Sequence, residues 1–199
     1  RLGGIELARI RANGNAIAGL AVLLSASGTG NTITQPVAVT NASGVATGTL
    51  VSTAAGEKIV TATVGGTAIV QSDTVTVTAG AVSAAQSTVS ASLASISADG
   101  ATSTITVTAR DASGNAVAGA TVLLAATGTG NTVTSPVALT GADGVATGTV
   151  SSTVAGAKVV SATIDGTAIT QTATVTVTAG AVSADSSTLV AGSATLSAG

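Results

Sequence analysis

The chain has 199 residues, 45% of them apolar and 7% charged, with a formal net charge of −2; this balance excludes a disordered tract and sets the size at two ordinary domains or one large one. No Phe, Tyr, Trp, Met, Cys or His occurs anywhere, which excludes disulfides, the usual zinc, haem and iron–sulfur sites, and the Ser-His-Asp and Cys-His catalytic units. Six Lys and Arg in total, with no ring for base stacking, argue against a nucleic-acid partner, and no uninterrupted apolar run reaches the ~18 residues of a membrane-spanning helix.

Arg1 to Ile10 lacks the charged, apolar and cleavage regions of a secretory signal, so for an exported parent the signal is expected upstream. Next along the chain, Ala12-Asn13-Gly14-Asn15-Ala16 reads as a turn, Gly28-Thr29-Gly30-Asn31-Thr32 as a loop between strands, and Gly65-Gly66 as a hairpin turn. Thr74 to Thr78 alternates hydroxyl and apolar residues and reads as a half-buried strand. These features recur one hundred residues later as Ala112-Ser113-Gly114-Asn115-Ala116, Gly128 to Thr132, Asp165-Gly166 and Thr174 to Thr178, and the offset holds without a gap. A period of ~100 residues is the size of a whole β-sandwich domain and too long for a solenoid or propeller repeat.

Residues 1–84 are therefore expected to form one repeat lacking its first strand, 85–180 a complete repeat, and 181–199 a linker with the opening strand of a further repeat. Within the complete repeat, Ile105, Val107 and Ala109 alternate with Thr104, Thr106 and Thr108, and Ala157 to Ile164 gives a further strand. Asp111 to Asn115 and Ala142-Asp143-Gly144 punctuate as turns, and Asp165-Gly166 is the strongest hairpin signal. Threonine suits such strands because its branched Cβ favours extended backbone while its hydroxyl faces water. About seven strands per repeat and no α-helix follow, which predicts an all-β chain of tandem immunoglobulin-like antiparallel β-sandwich domains.

Ala98-Asp99-Gly100 before a Thr-rich strand, the run from Arg110 to Val122, Gly141 to Ala146, and Ala155-Gly156 to Ile164 together resemble the group 1 bacterial immunoglobulin-like domain repeated in adhesins of the invasin and intimin type. The resemblance covers the complete repeat and, through the offset, most of the first. It departs at Ala16 and Ala116, where the family commonly has Pro, in the lack of core aromatics, and at Arg11, the counterpart of Asp111. What it implies is an extracellular stalk or spacer on the bacterial cell surface that supports adhesion by extending a distal binding domain, its partners being neighbouring repeats of the same protein. On this view a host or surface receptor is engaged only through other domains of the parent, and signal and anchor also lie elsewhere. Two alternatives are an immunoglobulin-like receptor-binding module and a decoration module of a phage tail or surface-layer protein.

No catalytic, cofactor or metal residues are assigned. Lys58 and Lys158 could formally activate a serine, but their place after a glycine at the start of a strand reads as a solvated edge charge that discourages edge pairing. Gly128 to Thr132 resembles a phosphate loop only superficially, since a strand and Pro136 follow it in place of a helix. Calcium at a repeat junction would draw on Asp99, Asp111 and Asp185, which are scattered in sequence and mostly lack counterparts in the first repeat. Thr74, Thr76, Thr78, Thr174, Thr176 and Thr178 form single rows, and an ice-binding plane needs several aligned strands. Arg1, Arg9, Arg11 and Arg110 without any aromatic make a poor receptor hot spot. The loops around Asn131 and Asp143 are where binding, if found, is expected. Finally, residues 186–199 repeat the material of 86–99, so this tail is expected to complete the head of another chain, giving head-to-tail self-association that removal of 186–199 abolishes.

Overall fold

The computed structural model describes residues 3–7, 11–12, 15–190, 192 and 195, with side chains described from Asn15 onward. The chain divides into two compact units, residues 1–86 with 110–117 and residues 87–109 with 118–199. All regular structure among the described residues is β.

The first unit contains β1 (Gly3–Leu7), β2 (Arg11–Ala12), β3 (Asn15–Ala16), β4 (Val22–Ala26), β5 (Asn31–Thr34), β6 (Ala46–Ser52), β7 (Gly56–Val64), β8 (Thr67–Ala68) and β9 (Asp73–Val77). One sheet has the order β1-β6-β5; in the other β7 is paired by β4, β8 and β9, and β2 pairs β3. Period-two alternation decides which side chains are enclosed: Val22 and Leu24 of β4, Ala46 of β6, and Ala62 and Val64 of β7 form one cluster, with Leu20, Ile33 and Ile69 packed on it. The core thus joins both sheets through small aliphatic groups, each Val or Leu contributing about 1.5 to 3 kcal/mol when fully buried.

The second unit contains β10 (Thr88–Ala91), β11 (Ser95–Ser97), β12 (Ser103–Thr108), β13 (Val122–Ala126), β14 (Asn131–Thr134), β15 (Val145–Ser152), β16 (Gly156–Ile164), β17 (Thr167–Ala168) and β18 (Ala173–Thr178). Its sheets have the orders β10-β12-β15-β14 and β11-β18-β16-β13, with β17 on β16. Ile105, Val107, Val160, Ile164 and Val175 are all fully enclosed, at 0% exposure.

The opening segment crosses from one sheet to the other. β10 pairs antiparallel with β12, and β11 pairs β18 in parallel, an exception to the antiparallel pairing expected from sequence. Between them the chain bends at Ser92 to Ala94. Buried Ser103 holds the bend, its hydroxyl accepting from Leu93 N–H and donating to Leu93 C=O, both at 3.0 Å. Val89 and Ile96, 4% and 5% exposed, close the two edges of the core. In the first unit, Val75 and Val77 of β9 stay half-buried, whereas Val175 and Val177, covered by β11, are buried.

The Asp165-Gly166 turn is a two-residue hairpin joining β16 to β17, with φ of 47° and 79° at the two positions, the left-handed pair that a type I′ turn requires. Residues 181–190 form no strand; of the tail in which a further opening strand is expected, residues 191, 193, 194 and 196–199 lie outside the described residues, as do the side chains of Arg1, Arg9 and Arg11.

Candidate functional site

Two polar clusters stand out from the aliphatic core. The first surrounds the lysines. Lys58 and Lys158 are 4% and 3% exposed, which corrects the expectation of solvated edge charges. The cause is parity: along β16, Lys158, Val160, Ala162 and Ile164 share the inward face, and Lys58 stands in the same relation to Val60, Ala62 and Val64. Both strands are also interior to their sheets. Each aliphatic stem runs inside the sandwich, and its ammonium emerges beneath the glycine loop, where Nζ donates to Thr29 C=O at 3.2 Å and to Thr129 C=O at 3.0 Å.

That loop is shaped around the lysine. A Cβ on Gly28 or Gly128 would lie 3.2 Å from the ammonium nitrogen, and both glycines have left-handed φ, 79° and 83°. Asn131 Nδ2 donates to Thr127 C=O and Gly128 C=O at 3.0 and 3.1 Å, and Asn31 repeats the pattern on Ser27 and Gly28. The carbonyls therefore converge on buried donors. A phosphate cradle needs N–H groups converging outward, the opposite polarity.

Only these two lysines occur in the sequence, one in each unit. An amine-reactive ester should therefore label the native lysines at least ~10-fold more slowly than those of the urea-unfolded chain, since reaction requires local opening. Peptide mass mapping separates the two sites; equal rates in native and unfolded protein would contradict the burial.

The second cluster is built on Asp111, 5% exposed. Its Oδ1 accepts from Ser113 N–H and Asn115 N–H, both at 2.9 Å. Its Oδ2 accepts from Gly80 N–H and Asn115 Nδ2, both at 2.8 Å. Burial pushes the carboxyl pKa up, but these hydrogen bonds, led by the Asn115 carboxamide, outweigh it and bring the value from the ordinary 3.8 to about 2. Asn115 then reaches further within the first unit: Nδ2 donates to Thr53 C=O and Oδ1 accepts from Ala55 N–H, both at 2.9 Å. Arg110 Nη1 closes the loop on Gly114 C=O at 2.8 Å. The sequence marks Asp111 to Asn115 as a turn; the bond to Gly80, 31 residues upstream, leaves no local signal.

The remaining candidates fall apart geometrically. With four N–H donors on its two oxygens, the Asp111 carboxylate points no lone pair at a shared cation position, Asp99 takes the Ser97 hydroxyl, and Asp185 is exposed. No cluster of three acidic side chains gathers among the described residues. The outward threonines do not form a plane: register places Val159 and Ala157 beside Thr174 and Thr176, and Ile59 and Glu57 beside Thr74 and Thr76. Asp143 supports its own turn, accepting from Val145 N–H at 3.0 Å. In the first unit Asn41 does this work, accepting from Ser43 and Val45 N–H at 2.9 and 3.1 Å.

Clefts open among the described residues of the first unit. One of about 590 Å³ is lined by Leu50, Val75, Val77 and the Asp111 loop, where the counterpart of β11 would lie by analogy with the second unit. Another, about 710 Å³, runs along Gln35, Val37, Val39 and Thr47. In the first of these the Asp111 carboxylate is already taken by four N–H groups.

Residues 83–180 match the family model for invasin domain 3, and residues 7–79 match the bacterial Ig-like domain, group 1. Among solved structures, Yersinia pseudotuberculosis InvD is 29% identical with a TM-score of 0.70, over 95% of this chain and 56% of InvD. The Escherichia coli adhesin FdeC is 33% identical with a TM-score of 0.69, over 86% of this chain and 56% of that one. The chain thus spans about half the length of each structure. No curated protein sequence matches it. The two matched segments, the all-β architecture and the hundred-residue offset place the chain among the group 1 bacterial immunoglobulin-like domains of the invasin and intimin adhesin type.

Proposed function

We propose that this segment is a non-catalytic spacer of a bacterial cell-surface adhesin, extending a receptor-binding domain carried elsewhere in the longer protein. The observation that carries the reading is where the polar chemistry goes. In each unit the lysine is consumed inside the fold by a loop carbonyl, and the Asp111 carboxylate by four N–H groups. What faces outward is mostly Thr, Ser and Ala, without an aromatic ring to anchor a glycan or a protein hot spot. Sequence duplication fits a role in which length, rather than a unique surface, is selected. Such a segment works outside the cell, with export signal and anchor supplied by other parts of the polypeptide.

The receptor-binding alternative has one observation in its favour. Val37 and Val137 are fully exposed, and Val39 and Leu139 are half-exposed behind them, giving each repeat a small apolar ridge after Pro36 or Pro136. The test is binding of the purified chain, quantified by peptide-bond absorbance, to cultured host cells, matrix proteins and a glycan panel. Folded protein that binds none of them is the expected result. Saturable binding abolished by Val37→Asp with Val137→Asp would replace the spacer reading with the ridge as a receptor site.

A further inference from the structure

We infer that Thr153, Val154 and Ala155, together with Gly180 and Val182, form a docking surface for the Asp-Ala-Ser-Gly-Asn loop of a further repeat following in the same polypeptide. The first unit supplies the argument. Residues 110–117 belong to it by their contacts, although the hundred-residue offset assigns them in sequence to the second repeat. Asp111 takes Gly80 N–H, and Asn115 bridges Thr53 C=O and Ala55 N–H. Ser83 N–H donates to Arg110 C=O at 2.8 Å, and Val82 bridges Asp111.

Every group that receives this loop has a counterpart one hundred residues on: Thr153, Ala155, Gly180, Val182 and Ser183. In the first unit Ala54, Ala55 and Val82 are half-buried. Their counterparts are open, with Val154 43% and Val182 94% exposed. Gly180-Ala181-Val182-Ser183-Ala184 also repeats Gly80-Ala81-Val82-Ser83-Ala84 residue for residue, so the chain leaves both units along the same sequence.

The occupant is specified by chemistry. It needs a carboxylate at its first position to collect a glycine N–H and three loop donors, and a carboxamide at its fifth, which donates to one carbonyl and accepts from one amide at once. A repeat with arginine at the first position, as at Arg11, offers only donors there and does not fit. The site therefore sorts loops: one that opens on Asp is accepted, and one that opens on Arg is not.

Amide hydrogen exchange tests this. In the 199-residue chain, Ala55 and Gly80 should be protected and Ala155 and Gly180 fast, and Asp111→Ala should release Ala55 and Gly80. Appending a second copy of residues 100–199 after Gly199 keeps the spacing and should slow Ala155 and Gly180 by at least ~10-fold. Replacing the first Asp of the appended loop by Ala should restore fast exchange. Unchanged exchange at Ala155 and Gly180 in an extended chain whose appended lysine is protected from labelling would overturn the inference. So would protection that survives the Asp replacement, or that rises with concentration in the 199-residue chain, which would make a second copy the occupant.

Discussion

Gly148→Val should unfold the second unit and leave the first standing. Gly148 lies on the inward face of β15 between Ala146 and Val150, where a Cβ would come within 2.3 Å of Thr134 C=O and 2.6 Å of Leu124 Cδ1, with Pro136 Cδ at 3.2 Å. The first of these is backbone in the neighbouring strand, which cannot turn aside as a side-chain tip can. Gly148→Ala, the milder variant, should cost about 2 to 3 kcal/mol through overpacking, and valine adds two methyl groups at the same point. A small aliphatic domain with a few kcal/mol in hand does not absorb that.

The lysines report which unit opens. In Gly148→Ala, labelling of Lys158 should accelerate while Lys58 keeps its native rate; Gly48→Ala, which meets Thr34 C=O at 2.7 Å and Leu24 Cδ1 at 2.5 Å, should give the mirror result. Native labelling at both sites in both variants would show that β15 and β6 shift to make room. The outcome bears on how small residues are used in this fold. Without aromatics the two sheets approach through Ala, Gly and Val, and glycine on the inward face lets the strand edge and Leu124 close over it.

The lysine positions show both the reach and the failure of sequence reading. Period-two alternation revealed the strands and the core positions Ile105 and Val107, because a half-buried strand writes its two faces directly into the sequence. The same rule, counted back from Ile164 through Ala162 and Val160, arrives at Lys158 on the buried face. Chemical class overrode parity in the expectation of an exposed lysine, and the structure sides with parity because the loop carbonyl of Thr129 is placed to take the proton-bearing end. The crossing of the opening segment was not legible. Ser95-Ile96-Ser97 is too short for a pattern, and its parallel partner β18 lies about eighty residues away. The turn at Asp111 was legible and its purpose was not: Asp, Ser, Gly and Asn at those spacings announce an Asx-type turn, while Gly80, Thr53 and Ala55 enter only through the fold.

Asp111 should also give the first unit a pH dependence of its own. A carboxyl whose folded value lies near 2 against an ordinary 3.8 contributes its stabilisation fully above the ordinary value. There it is ionised both folded and unfolded. As pH falls from about 4 through about 2, the unfolded chain takes up the proton first, so the contribution shrinks across that window and is gone below it. Protection of the Gly80 amide, corrected for the intrinsic pH dependence of exchange, should therefore weaken from pH 4 to pH 2 in the wild-type chain. Asp111→Asn removes the titration and should flatten the profile at a lower level, other carboxylates cancelling in the comparison. Asp111→Ala should be the more damaging change at neutral pH, by about 2 kcal/mol. It strands the N–H groups of Gly80, Ser113 and Asn115 and lets go of the carboxamide that reaches Thr53 and Ala55. Parallel profiles for wild type and Asp111→Asn would mean that the turn is held by Asn115 and the backbone alone, with the charge of Asp111 contributing nothing. The location of the effect matters as much as its size: Asp111 follows Ala109 and Arg110 at the end of a second-repeat strand, yet the amides it protects are those of the first unit. A loss confined to Gly80 and Ala55 would show that one repeat's stability is written partly in the sequence of the next.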